Sequence, residues 1–293
     1  MPTTRPIKDR IKKLKTQYDQ LRPGKDALLK IIDEAELSEA VYNSNAIENS
    51  TLTLKETERI LLEMELSRDV DLREVYEAKN LAWVIEYIRT KAQGADLDKP
   101  MVLLLHQMLI GNINDAMAGR FRIAGEYVRV GTHVAPAPEH VLRMVEALLL
   151  EYVSEHDVYF ADKIAKFHLD FETIHPFNDG NGRIGRAIIN WQFQHEGFPN
   201  IIIRDKEKKT YYRAFADYRD TKKSATMERV ITLALMESLH KRIAYLEGKT
   251  IIELAGYAKG QNKSLSALLN AARRQTIPAF REKGVWKMAG RSS

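Results

Sequence analysis

What most constrains this chain is the spacing of its apolar residues, which recur every three or four positions through most of its length. The stretch 26–42 shows the pattern, with Leu28, Leu29, Ile31, Ile32, Ala35 and Leu37 on a common side. Similar spacing predicts helices over 7–21, 54–66, 75–90, 101–110, 139–155, 161–174, 185–195, 211–218 and 226–246. Arg22-Pro23-Gly24 breaks the first of them, and Asp98 stands where an N-cap would precede Pro100. One segment departs from the rule. Residues 122–134 alternate and are rich in β-branched side chains before running into Ala135-Pro136-Ala137-Pro138, which reads as a short β-hairpin. The expected architecture is all-α with one hairpin, followed by a small C-terminal appendage.

Composition narrows the class. Apolar residues make up 44% and charged residues 29% of 293, ordinary globular values that argue against disorder or collagen-like repetition. The absence of cysteine excludes a disulfide scaffold and thiolate metal sites, and it fits a reducing compartment. No apolar run reaches the length of a membrane span, and the basic start, Met1 to Arg5, lacks the apolar stretch of a secretion signal. A cytoplasmic protein without membrane contact is the expectation. Charge is unevenly placed: from Gly248 onward there are nine basic and two acidic residues, so the net +5 of the whole leaves a body of −2. A basic tail on a near-neutral body points to a separate module with a polyanionic partner.

The chemistry is concentrated in twelve residues, His175-Pro176-Phe177-Asn178-Asp179-Gly180-Asn181-Gly182-Arg183-Ile184-Gly185-Arg186, between two helical stretches. Pro176 disfavours helical geometry at His175 and helps end the first helix. Gly180, Gly182 and Gly185 permit close backbone approach, so that successive N–H groups can converge on an anion at the start of the second helix. Arg183 and Arg186 supply planar donors suited to phosphate. Asp179 can hold a magnesium ion shared with phosphate oxygens, and His175 can take a proton from a hydroxyl attacking phosphorus. These are the parts needed for nucleotidyl transfer.

This stretch resembles the signature of the Fic family, His-x-Phe-x-Asp/Glu-Gly-Asn-Gly-Arg-x-x-Arg, at every fixed position. The resemblance covers roughly 101–235 and implies a helical catalytic core over 96–246. It implies a protein adenylyltransferase, in which His175 deprotonates a Tyr, Thr or Ser hydroxyl of a target protein. The hydroxyl then attacks the α-phosphate of ATP. Asp179 would be the magnesium ligand, the amides of Gly180, Asn181 and Gly182 the phosphate cradle, with Gly185 beside it. Arg183 and Arg186 would meet the outer phosphates, and Phe177 would anchor the loop. Val128, Arg129, Val130, Gly131 and Thr132 fall where the family places a target-docking flap, and Tyr211 and Tyr212 resemble a pair lining the adenine pocket. Where related sequences often carry Asn, this chain has Asp217 and Arg219. The family variant that phosphorylates its target departs from Gly-Asn-Gly-Arg, which is intact here.

Within the N-terminal region 1–95, Ser44-Asn45-Ala46-Ile47-Glu48-Asn49 resembles the inhibitory motif Ser/Thr-x-x-x-Glu-Gly/Asn of a class of Fic proteins. Ser44 and Glu48 share a helix face, Asn49 can end the helix, and Glu48 is expected to pair with Arg186 in place of the γ-phosphate. In the tail 248–293, helices at 250–258 and 264–274 and two strands at 277–281 and 285–288 suggest a winged helix-turn-helix. Ser264, Ser266, Asn270 and Arg273 would face a DNA groove, and Lys249, Lys263 and Arg274 would meet phosphates. Two alternatives stay open: transfer or removal of another phosphate-linked group, and a DNA-binding regulator whose loop only senses nucleotide. A homodimer through the surface 102–109 is a further expectation.

Overall fold

The computed structural model describes residues 3–63 and 70–290, and these form a mostly helical protein. Long amphipathic helices α1 (Arg5–Leu21) and α2 (Asp26–Ile47) lead in, followed by α3 (Leu54–Glu58), a π-turn at Arg59–Glu63 and α4 (Leu72–Lys91). Thr53 and Glu56 close α3 with a reciprocal capping box. The expected helix over 54–66 is thus split by the π-turn, and positions 64–66 lie outside the described residues, as do Met1, Pro2 and Arg291. After α5 (Lys99–Ile110), capped by Asp98 as its spacing suggests, the chain runs irregularly to a two-residue hairpin, β1 (Arg129–Val130) and β2 (His133–Val134). Then come α6 (Pro138–Ser154), α7 (Phe160–Ile174), α8 (Asn181–His195), α9 (Lys208–Thr221) and α10 (Ala225–Leu246).

Helices α7 and α8 form an antiparallel pair that divides two cores. On one side Val102, Leu105, Val145, Phe171 and Ile188 pack with α4, α5 and α6; on the other Ile11, Leu169, Phe193, Tyr211 and Leu235 pack with α1, α9 and α10. Almost every residue of α8 is therefore buried, which fixes the loop joining it to α7 from both flanks. Of the surface 102–109 expected at a homodimer, Leu104 and Gln107 are exposed and the rest is wholly or partly buried. Val102, Leu105 and Leu109 are fully buried in the first core, because a helix apolar on most sides goes inside.

The C-terminal residues fold as β3 (Ile251–Glu253), α11 (Leu254–Gly260), α12 (Leu265–Arg273), β4 (Ala279–Glu282) and β5 (Val285–Ala289). This corrects the expected helix over 250–258, whose first residues form a strand. The β-branched pair Ile251–Ile252 joins β5 in the sheet order β3-β5-β4, with Ile252 opposite Met288. Three strands instead of two close a small core of Leu254, Ala272 and Ala279. Strand β4 also docks on α10, where Arg281 meets Glu237 at 2.6 Å. No helix among the described residues is long and apolar enough to cross a membrane.

Candidate active site

The loop between α7 and α8 begins with an unusual backbone. His175 caps α7 in the left-handed region (φ 50°, ψ 62°), its N–H still bonded to Phe171, and Pro176 prevents the helix from continuing. Phe177 is fully buried and stacks on the His106 ring at 3.6 Å between centroids. The Asn181 amide donates to the Phe177 carbonyl and accepts from its N–H, at 2.8 and 2.9 Å, so that side chain shapes the loop from within. Gly180, at φ 82°, starts α8. From there the backbone N–H groups at the start of α8 have no preceding turn to bond, an arrangement suited to an anion.

The charged groups around this turn are all engaged. The Asp179 carboxylate accepts from the Gly180 N–H at 2.6 Å, from Arg183 at 3.0 Å and from Arg73. Arg183 also meets Glu77 at 3.0 Å and is buried, so in this state it braces Asp179 and is not offered to a phosphate. Arg186 is equally occupied. Its guanidinium lies 2.8 Å from Glu48, donates to the Ser44 hydroxyl at 3.0 Å and to the Ser44 carbonyl at 2.8 Å, and reaches the Tyr211 hydroxyl at 3.3 Å. Burial would lower its pKa, but Tyr211 and Glu48 outweigh that and drive it further up.

Two glycines permit this approach. A Cβ on residue 182 would stand 2.2 Å from Glu48 Oε1, and one on residue 185 would stand 2.7 Å from the His168 ring. The end of α2 is itself held by α9: Lys208 donates to the Ala46 carbonyl at 3.1 Å and to Asn49 at 2.7 Å, and the Tyr212 hydroxyl donates to the Ile47 carbonyl at 3.0 Å. The Ala46 carbonyl also accepts from the Asn49 N–H, at 3.1 Å. Asn49 adopts φ 70°, ending α2 as glycine often does. Of the two tyrosines expected at an adenine pocket, Tyr212 is partly exposed and bonds the end of α2, while Tyr211 is buried, its hydroxyl 2.7 Å from His168 and 3.3 Å from Arg186.

His175 itself is nearly enclosed. Burial brings its pKa down to about 4, Arg122 and His133 push the same way, and the Glu172 main chain opposes them. Its Nδ1 lies 3.6 Å from the carboxylate of Glu172, whose own pKa burial and Glu48 push up to about 8. The neutral imidazole is the form at physiological pH. Residues Val128 to Thr132 belong to the hairpin, where Arg129 pairs with Val134 and Val130 with His133. The His133 ring holds it to α7 through the Thr173 carbonyl at 2.9 Å.

Sequence reasoning did not single out Arg122, Glu172, Arg73, Glu77 or His106. Arg122 is the most connected, donating to the carbonyls of His175, Glu126, Pro136 and Ile174. Only Glu172 had a local signal, an acid one turn before His175 on the face that α8 covers.

A largely buried loop between two central helices, its terminal arginine held by a carboxylate of an N-terminal helix, defines the architecture of this helical domain. Residues 96–193 match the Fic/DOC family. The chain carries a Fic/DOC family domain. It is 30% identical over 213 residues to a protein named protein adenylyltransferase Fic from Nematostella vectensis, a match covering 70% of this chain and 48% of that relative. The chain thus spans about half the length of that curated relative. A solved Fic-domain-containing signaling protein from Bacteroides thetaiotaomicron superposes with a TM-score of 0.74 at 24% identity, covering 82% of this chain and 98% of the other. A Fic family protein from Desulfovibrio desulfuricans does so at 0.65 and 19% identity, covering 100% and 99%. These two share the fold.

Proposed function

We propose that this chain transfers AMP from ATP to a Tyr, Thr or Ser hydroxyl of a protein target, and that Glu48 restrains it. The observation that carries this reading is the Arg186 guanidinium, tied to Glu48 and Ser44 at the end of the same loop that presents a neutral His175. In the proposed reaction His175 accepts the hydroxyl proton as the oxygen bonds to the α-phosphorus, and pyrophosphate departs with the electrons of the broken P–O bond. Residues 180–182 and the α8 N-terminus cradle phosphate oxygens. While Glu48 holds Arg186, the outer phosphate lacks its orienting donor and the α-phosphate sits off line, a misplacement worth about 10²-fold in rate.

Magnesium fits this reading through Asp179. A hard cation prefers oxygen ligands, and a carboxylate at the start of α8 beside the phosphate cradle would share it with phosphate oxygens. Asp179 would hold it, and its charge would offset that of the phosphates.

The test is intact-mass spectrometry of the full chain with ATP and magnesium. Glu48→Gly should gain AMP about 10²-fold faster than the natural sequence, and His175→Ala should abolish the gain in either background. Equal labelling of the natural chain and Glu48→Gly would remove the restraint from the proposal. Competition among nucleoside triphosphates separates adenylylation from transfer of another phosphate-linked group.

A DNA-binding regulator with a merely sensing loop is not favoured, given relatives named as adenylyltransferases. DNA contact by the tail is a narrower second reading, supported by the exposed face of α12. Ser264 caps that helix, and Ser266, Arg273 and Arg274 are exposed. Lys249 is paired with Glu247 at 2.6 Å and is less available than expected. A gel shift whose affinity falls steeply with salt would support the contact, and a salt-independent or absent shift would remove it.

A further inference from the structure

A crevice of 540 Å³ lies between α9 and α10 of the body and α12 of the C-terminal module, and no residue of the 175–186 loop lines it. Its floor is apolar, from Val230, Leu233 and Ala234, while Arg213, Arg229 and Arg273 line it from three different helices. A fourth arginine, Arg281 of β4, is already neutralised by Glu237 at 2.6 Å and Glu207 at 2.8 Å, and Glu237 is further claimed by Arg204 at 3.1 Å. The other three have no carboxylate partner among the described residues; Arg273 has only the Asn270 amide oxygen, at 3.3 Å. Glu207 and Glu237 also line the hollow, but both are taken by Arg281, so the three remaining guanidiniums on a partly apolar hollow of this volume form the outline of a small-ligand pocket.

We propose that this crevice binds a small molecule bearing at least two phosphate groups, which bridges the body and the C-terminal module. Planar donors from α9 and α10 would engage one phosphate and Arg273 the other, with the carbon skeleton on the apolar floor. The proposal is independent of the catalytic reading.

Isothermal titration of the full chain with inorganic pyrophosphate tests it, with succinate as the carboxylate counterpart. Arg213 and Arg229 are exposed on helices, where alanine is well tolerated, so Arg213→Ala/Arg229→Ala should fold. Pyrophosphate should bind the natural chain, weaken by about tenfold or more in the double alanine variant as charge-assisted bonds are lost, and be partly rescued by Arg213→Lys/Arg229→Lys. Arg186→Ala, which disables the loop, should leave this binding in place. Unchanged affinity in the double variant, loss only in Arg186→Ala, or no binding would overturn the site. Equal binding of succinate would overturn its phosphate character.

Discussion

The surroundings of His175 keep its imidazole proton-free, the form the proposed reaction needs. Because burial depresses its pKa from 6.5 to about 4, the proton-free form predominates throughout the neutral range, and protonation sets in only on the acid side. The expected pH profile of single-turnover labelling by Glu48→Gly is therefore flat from pH 6.5 upward, falling as the pH approaches about 4. A profile halved near 6.5 would show an imidazole without this environment. The residues that act on the loop from within were legible in the sequence, because His175, Asp179, Gly182 and Arg186 are neighbours in the chain. Of those that act on it from outside, Ser44 and Glu48 were legible through their motif, and Arg122 and Arg73 were not. Arg122 reaches His175 across 53 positions and Arg73 reaches Asp179 across 106, separations that leave no spacing to read.

Among the elements, the hairpin depends on one side chain more than on its own ladder. Two residue pairs make a marginal sheet, whereas Arg122 ties the segment before β1 and the segment after β2 to the end of α7. Removing it strands four carbonyls that receive charge-assisted bonds, at about 1.5–3 kcal/mol for each bond that water does not replace. Arg122→Ala should accordingly lose hydrogen-exchange protection across 128–135 while α10 keeps its own. Equal protection in both proteins would assign the hairpin's order to another contact. Helices were readable here because amphipathic spacing survives in a single sequence. Strand β3 was not, since its three residues are defined by β5, more than thirty positions later, and its apolar pair continues the helical pattern that follows.

For the molecule as a whole, the decisive joint is between α10 and β4. Burial would raise the pKa of Glu237, but Arg204 and Arg281 outweigh it and keep the carboxylate ionised. Glu237→Ala leaves Arg204 with Glu39 alone and Arg281 with Glu207 alone, so the loss falls below the about 3–5 kcal/mol of a buried pair broken outright. The variant should melt earlier, with protease cutting first near Gly248, where the chain passes from α10 to β3. Unchanged cleavage there would mean that the module is held by its apolar contacts alone. The basic character of this tail was visible in the composition, but its destination was not. Arg281 spends its charge inward on the body, and Lys287 spends its on Glu282 at 2.8 Å.

The oxygen of Glu48 occupies the very volume that any side chain at position 182 would need. On the proposed reading, a nucleotide arriving at the mouth of α8 must therefore displace matter as well as charge. Under the proposed reaction, whatever withdraws α2 would clear that volume and free Arg186 in one movement.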